Sequence, residues 1–74
     1  MRVSLKNLLE SALAARGEHF VKRNAKHDVW SRREGGYYFL GKAGGLRFGR
    51  TKTESVPCSD EFKELLCQQS RSRR

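Results

Sequence analysis

The sequence predicts an α+β fold: an N-terminal helix, a three-stranded antiparallel meander, a C-terminal helix and a basic disordered tail. Three observations predict it. An apolar stripe at helical spacing runs through residues 5–13, a block of aromatics and glycines fills residues 30–50, and a capped amphipathic segment follows Ser59. The central block holds five of the seven aromatic residues and six of the seven glycines. Aromatics suit a half-buried pleat, and glycine supplies the backbone freedom that tight turns need.

The first element spans Ser4 to Arg16. Leu5, Leu8, Leu9, Ala12 and Leu13 fall on one helical face, which marks that face as core. Ser4 is placed to cap the helix, Lys6 and Glu10 form an i,i+4 pair, and Gly17 stands where a helix stops. The next segment, Glu18–Asp28, supports two readings. Phe20, Val21 and Ala25 continue a helical stripe with Lys22, Arg23 and Lys26 as a basic face, or His19–Arg23 is a short strand. The helical reading gives a helix-turn-helix followed by a hairpin, an outline similar to winged DNA-binding domains, although the chain has no room for their three helices.

Strands are expected at Val29–Arg33, Tyr37–Gly41 and Leu46–Thr51, with turns at Glu34–Gly36 and Lys42–Gly45. Alternation puts Tyr37 and Phe39 on one side of the middle strand and Tyr38 and Leu40 on the other. The side expected to cover the first helix is either Tyr37/Phe39 with Leu46/Phe48, or Tyr38/Leu40. The segment from Thr51 reads as a polar connection in which Val56, preceding Pro57, is extended. Ser59 caps a last helix over Asp60–Gln68 whose first turn is acidic and whose inner face is Phe62, Leu65 and Leu66. Residues 1–69 form one domain, and residues 70–74 a flexible basic tail.

At 74 residues the core is a single layer of contacts. Sixteen Lys and Arg against eight Asp and Glu give a net charge of +8. The charge is uneven: residues 16–52 carry ten basic and three acidic side chains, residues 53–69 one basic and four acidic. A basic centre beside an acidic last helix favours a polyanionic or acidic partner on one face. No apolar run approaches the ~20 residues of a membrane span, so a soluble, cytoplasmic monomer with no membrane partner is expected. Cys58 and Cys67 are expected to stay reduced. The two cysteines lie nine positions apart and His19 and His27 eight, unlike the tight pairs of zinc sites, so no metal is expected. No nucleophile–base or paired-carboxylate arrangement stands out, so neither enzymatic activity, a cofactor nor a small-molecule substrate is expected.

Gly41-Lys42-Ala43-Gly44 matches the GxxG form with which KH domains clamp nucleic-acid backbone. In that family the loop joins two helices, whereas here it lies between two expected strands. The ribonucleoprotein motif of RRM domains is absent. The richer pattern is the interleaving of rings and cations from Trp30 to Lys52, because aromatics on a sheet stack unpaired bases while cations neutralise phosphate. Arg32, Arg33, Lys42, Arg47, Arg50 and Lys52, with Tyr38, are therefore the expected binding residues.

The run Tyr37–Phe39-Leu40-Gly41-Lys42, Gly45–Thr51 and Ser59-Asp60-Glu61-Phe62-Lys63 resembles small proteins encoded by bacteriophages. The resemblance implies a regulator that docks on host machinery such as RNA polymerase, inhibiting initiation or permitting read-through of terminators. It assigns no contact residue. Two functions are expected, then: a non-enzymatic regulator docking on a protein beside nucleic acid, or a module that binds DNA or RNA directly.

Overall fold

Successive glycine-containing turns fold the centre of the chain back on itself, and the computed structural model, which describes residues 4–72, shows the result. Helix α1 (Leu5–Ala15) is followed by strands β1 (Phe20–Arg23), β2 (His27–Ser31), β3 (Tyr37–Gly41), β4 (Leu46–Gly49) and β5 (Val56–Pro57), and then by helix α2 (Asp60–Ser72). The strands form one antiparallel sheet in chain order. The α+β class is as expected; the sheet has five strands rather than three.

The two added strands lie at the edges. β1 resolves the ambiguity of residues 18–28 in favour of a strand: Phe20 pairs with Trp30 and Arg23 with Asp28, with a bulge at Val21. The Phe20 and Trp30 rings meet edge to face at 5.8 Å, a contact that a helix over these residues would not make. β5 is only two residues long, and Arg47 pairs with Pro57; proline lacks an N–H and is confined to such an edge.

Both helices cover one face of the sheet. Leu9, Ala12 and Leu13 of α1 and Leu66 of α2 pack with Trp30, Tyr38, Leu40 and Leu46. Leu9, Leu13, Leu40 and Leu66 are fully buried, each worth about 1.5–3 kcal/mol relative to an exposed side chain. The β3–β4 register sets Tyr38 opposite Phe48 and Leu40 opposite Leu46. This corrects the expected grouping of Tyr37 and Phe39 with Leu46 and Phe48: a one-residue difference in turn length exchanges the faces of a strand. Leu65 is also corrected, because it points to solvent while Phe62 and Leu66, one turn apart, face inward.

The caps are as expected: Ser4 Oγ accepts from the Asn7 N–H at 3.1 Å and Ser59 Oγ from the Phe62 N–H at 3.1 Å. α2 runs through Ser72, into the segment expected as a tail; residues 73 and 74 lie outside the described residues. The β3–β4 turn is seated directly on α1. Gly44 has φ +97, and a Cβ there would come within 2.6 Å of Leu5 Cδ2, so neither the conformation nor the space admits a side chain. No helix among the described residues is long and apolar enough to cross a membrane.

Candidate polyanion-binding face

Pleating gives the sheet a second face, turned away from the helices. Val29 of β2, Tyr37 and Phe39 of β3 and Arg47 of β4 lie on it, since Val29 pairs with Phe39 and Phe39 with Arg47. His27, on the same side of β2, meets the Phe39 ring edge to face at 5.6 Å. Val29 and Phe39 are buried although no helix covers them.

The loop between β4 and β5 returns over this face. A Cβ on Gly49 would lie 2.8 Å from Ser55 Cα, so the returning chain occupies the place of that residue's side chain on this face. Arg47 fastens it: Nε donates to Ser55 Oγ at 2.8 Å and Nη2 to the Ser55 carbonyl at 2.6 Å. Ser55 Oγ donates to the Lys52 carbonyl at 2.7 Å, and the Glu54 N–H to Thr51 Oγ1 at 3.2 Å. The clamp holds Arg50, Thr51 and Lys52 over the sheet.

Two adjoining clefts result. One, of about 400 Å³, is bordered by Lys26, His27, Phe39, Arg47, Lys52 and Lys63. The other, of about 430 Å³, is bordered by Lys22, His27, Val29, Tyr37, Arg50 and Lys52, with Phe39 again at its floor. His27, Phe39 and Lys52 thus belong to both. Among the described residues, Asp60 is the one carboxylate lining either cleft. Among the described residues, no ion pair engages Lys22, Lys26, Arg47, Arg50, Lys52 or Lys63. Burial, and then the positive field of Lys52, hold the His27 imidazole below its ordinary pKa, with Lys22 adding to the effect against the opposing pull of Asp28.

The helix-covered face treats its cations differently. Lys6 Nζ reaches Glu10 at 2.7 Å and the buried Asp28 at 2.9 Å, and Arg23 reaches the other Asp28 oxygen at 3.2 Å. Burial pushes the Asp28 carboxyl upward, but Lys6, Glu10 and Arg23 around it outweigh burial and leave it below the ordinary value. Hydrogen bonds to Glu10 and Asp28 raise Lys6. Arg16 pairs with Glu18 at 3.2 Å and Arg32 with Glu34 at 3.1 Å.

The expected binding residues are divided among these surroundings. Arg47, Arg50 and Lys52 come together on the open face, Arg47 as the clamp beneath the loop. Lys42 is exposed at the tip of the β3–β4 turn, so the GxxG segment is a hairpin turn, and Arg33 is exposed in the β2–β3 turn. Arg32 and Tyr38 lie on the helix side. Tyr38 is 2% exposed, stacks on Phe62 at 6.1 Å and carries the Arg32 guanidinium 5.4 Å from its ring centroid. Lys22, Lys26 and Lys63 join the open face without having been singled out as contacts. Lys22 and Lys26 were legible as a basic cluster, but only the strand assignment of β1 shows which face Lys22 shares with Val29.

Cys58 and Cys67 are free thiols packed against the core; burial raises the Cys58 pKa, which keeps it protonated and unreactive. Among the described residues, no group of three or more His, Cys, Asp or Glu side chains is arranged to hold a metal ion. In comparisons with known proteins, the chain matches no family model, no curated protein and no solved structure.

Proposed function

We propose that the protein is a non-enzymatic binding module whose open sheet face takes a single-stranded nucleic acid. The observation that carries this reading is the grouping of Lys22, Lys26, Arg50, Lys52 and Lys63 around Phe39, His27 and Tyr37, with no ion pair to any of these cations among the described residues. A cation held near a sheet without a counter-charge is disposed to neutralise phosphate, and Tyr37, a residue 40% exposed on the same face, offers a stacking surface for a base. The Arg47–Ser55 clamp supports the reading further, since it orders Arg50 and Lys52 before any partner arrives and so lowers the entropy lost on binding.

The test is fluorescence anisotropy with a labelled oligothymidylate at several salt concentrations, comparing the parent with a Lys22→Gln/Arg50→Gln/Lys52→Gln variant. The dependence of log K on log salt should become shallower by about 0.7 for each cation removed. A triple variant with unchanged affinity and slope overturns the reading. Docking on a protein such as RNA polymerase, which the phage-protein resemblance implies, makes a different prediction: a partner captured from lysate survives nuclease treatment, and its loss traces to one or two positions.

A further inference from the structure

A third hollow, larger than either cleft of the open face, lies at the junction of the β2–β3 turn, β4, β5 and the start of α2. It measures about 610 Å³ and is bordered by Arg16, Arg32, Glu34, Tyr38, Phe48 and Phe62, with Val56 to Ser59 as its remaining wall. Three aromatic rings therefore meet two guanidiniums. Arg32 lies 4.6 Å from the Phe48 centroid and 5.4 Å from that of Tyr38, and Arg16 lies 5.5 Å from that of Phe62.

The two arginines are not equally engaged. Arg16 pairs with Glu18, whose side chain is 1% exposed and which also accepts from the Arg33 backbone N–H at 3.4 Å. That carboxylate belongs to the framework. Arg32 Nη2 meets a single oxygen of Glu34, whose side chain is 74% exposed, and Nη1 donates to the Gly35 carbonyl at 3.2 Å. Its Nε is buried with no acceptor among the described residues. A pair with so exposed a carboxylate contributes little and exchanges readily. The guanidinium fork is built to hold both oxygens of one carboxylate, and here it holds one oxygen of an exposed surface side chain.

We propose that this hollow is a binding site for small aromatic carboxylates, with Glu34 standing in for the ligand's carboxylate when the site is free. The flat apolar body lies against Phe48 and Phe62, and its carboxylate displaces Glu34 from Arg32. A volume within the usual range of small-molecule sites, apolar walls and one convergent charge are the features such a ligand needs. The site meets the first open-face cleft at Pro57 and Cys58, which line both, but its rings and guanidiniums are its own and it does not depend on the reading of that face.

Naphthoate, with uncharged naphthylmethanol as its counterpart, tests the proposal by fluorescence titration of the full chain. Naphthoate is expected to bind about tenfold more tightly than naphthylmethanol, the contrast that a charge-assisted pair provides. Glu34→Gln, which removes the competitor, should strengthen naphthoate binding a few-fold, whereas Arg32→Lys should weaken it about tenfold. Lys52→Gln should leave it unchanged. Equal affinities for the two compounds overturn the proposal, as does a Glu34→Gln protein that binds naphthoate no better than the parent. Displacement of naphthoate by oligothymidylate, or its loss in Lys52→Gln, places the ligand on the open face and overturns the proposal equally. Should Arg32→Lys disturb the fold, seen as a changed near-ultraviolet circular dichroism spectrum, the Glu34→Gln comparison decides alone.

Discussion

On the helix-covered side of the sheet, Lys6 and Arg23 reach the buried Asp28 and Arg16 the buried Glu18, each within 3.2 Å. On the open side, Lys22, Lys26, Arg50, Lys52 and Lys63 border two clefts with Asp60 as the only lining carboxylate among the described residues. The same net charge of +8 is thus matched where it helps build the molecule and left unmatched where it faces outward. A buried charge without a partner is costly, so selection for stability alone accounts for the first arrangement. Nothing in the packing requires the second, since exposed cations serve stability equally well when dispersed. Under the proposed function one face carries stability and the other binding, and each prediction tests that division.

The largest effect is expected at Leu9, fully buried under the sheet. Leu9→Ala should cost about 2–5 kcal/mol, much of the stability of so small a domain, as read by denaturant unfolding. An unshifted transition would break the two-layer account. Next comes Lys6→Met, which keeps the apolar stem but leaves Asp28, 3% exposed, with Arg23 alone. A loss of about 3 kcal/mol is expected, with oligothymidylate affinity unchanged wherever the protein is folded.

The pH dependence follows from the same pair. Asp28 is held below its ordinary value of 3.8, so the unfolded chain takes up its proton first as the pH falls. The stabilisation is complete above that value and is lost as pH drops through the lower folded value. In Lys6→Met the acid transition should therefore begin at higher pH. A coincident acid limb would show that Lys6 does not hold the carboxylate.

His27 should give the smallest effect. Its folded pKa lies below 6.5, so protonation opposes folding, and stability falls slightly as pH drops from that value through the folded one. Bound phosphate would offset the field of Lys52 and Lys22 and let the ring take up a proton. Oligothymidylate affinity should thus rise a few-fold on going from about pH 7 to about pH 5.5, and His27→Gln should flatten that rise. Affinity independent of pH in the parent would separate His27 from the bound strand.

Much of the framework is readable from residue order. Leu9, Ala12 and Leu13 of the first stripe, the caps Ser4 and Ser59, and the alternating rings of β3 each carry a local signal that the fold keeps, whereas Leu5, at the end of that stripe, is 42% exposed. β1 was not decidable locally, because Phe20, Val21 and Ala25 fit a helical stripe as well as a pleat; the cross-strand contact with Trp30 decides it. β5 has no local signature, since Val56–Pro57 becomes a strand only by lying against Arg47 and Phe48. The candidate surface was readable as a list of cations but not as a face. Whether a cation between residues 22 and 52 joins the open side depends on strand register and on the returning 50–55 loop. Arg32 and Arg47 therefore look alike in sequence and lie on opposite faces.

The most direct test of the division between the faces is a chemical-shift map of the isotope-labelled protein during titration with oligothymidylate. The account predicts that the backbone amides of Lys22, His27, Val29, Tyr37, Phe39 and Lys52 move together and saturate together, while those of Leu9, Leu13 and Leu66 stay in place. Shifts concentrated along α1 and α2, with the open-face amides unmoved, would contradict it.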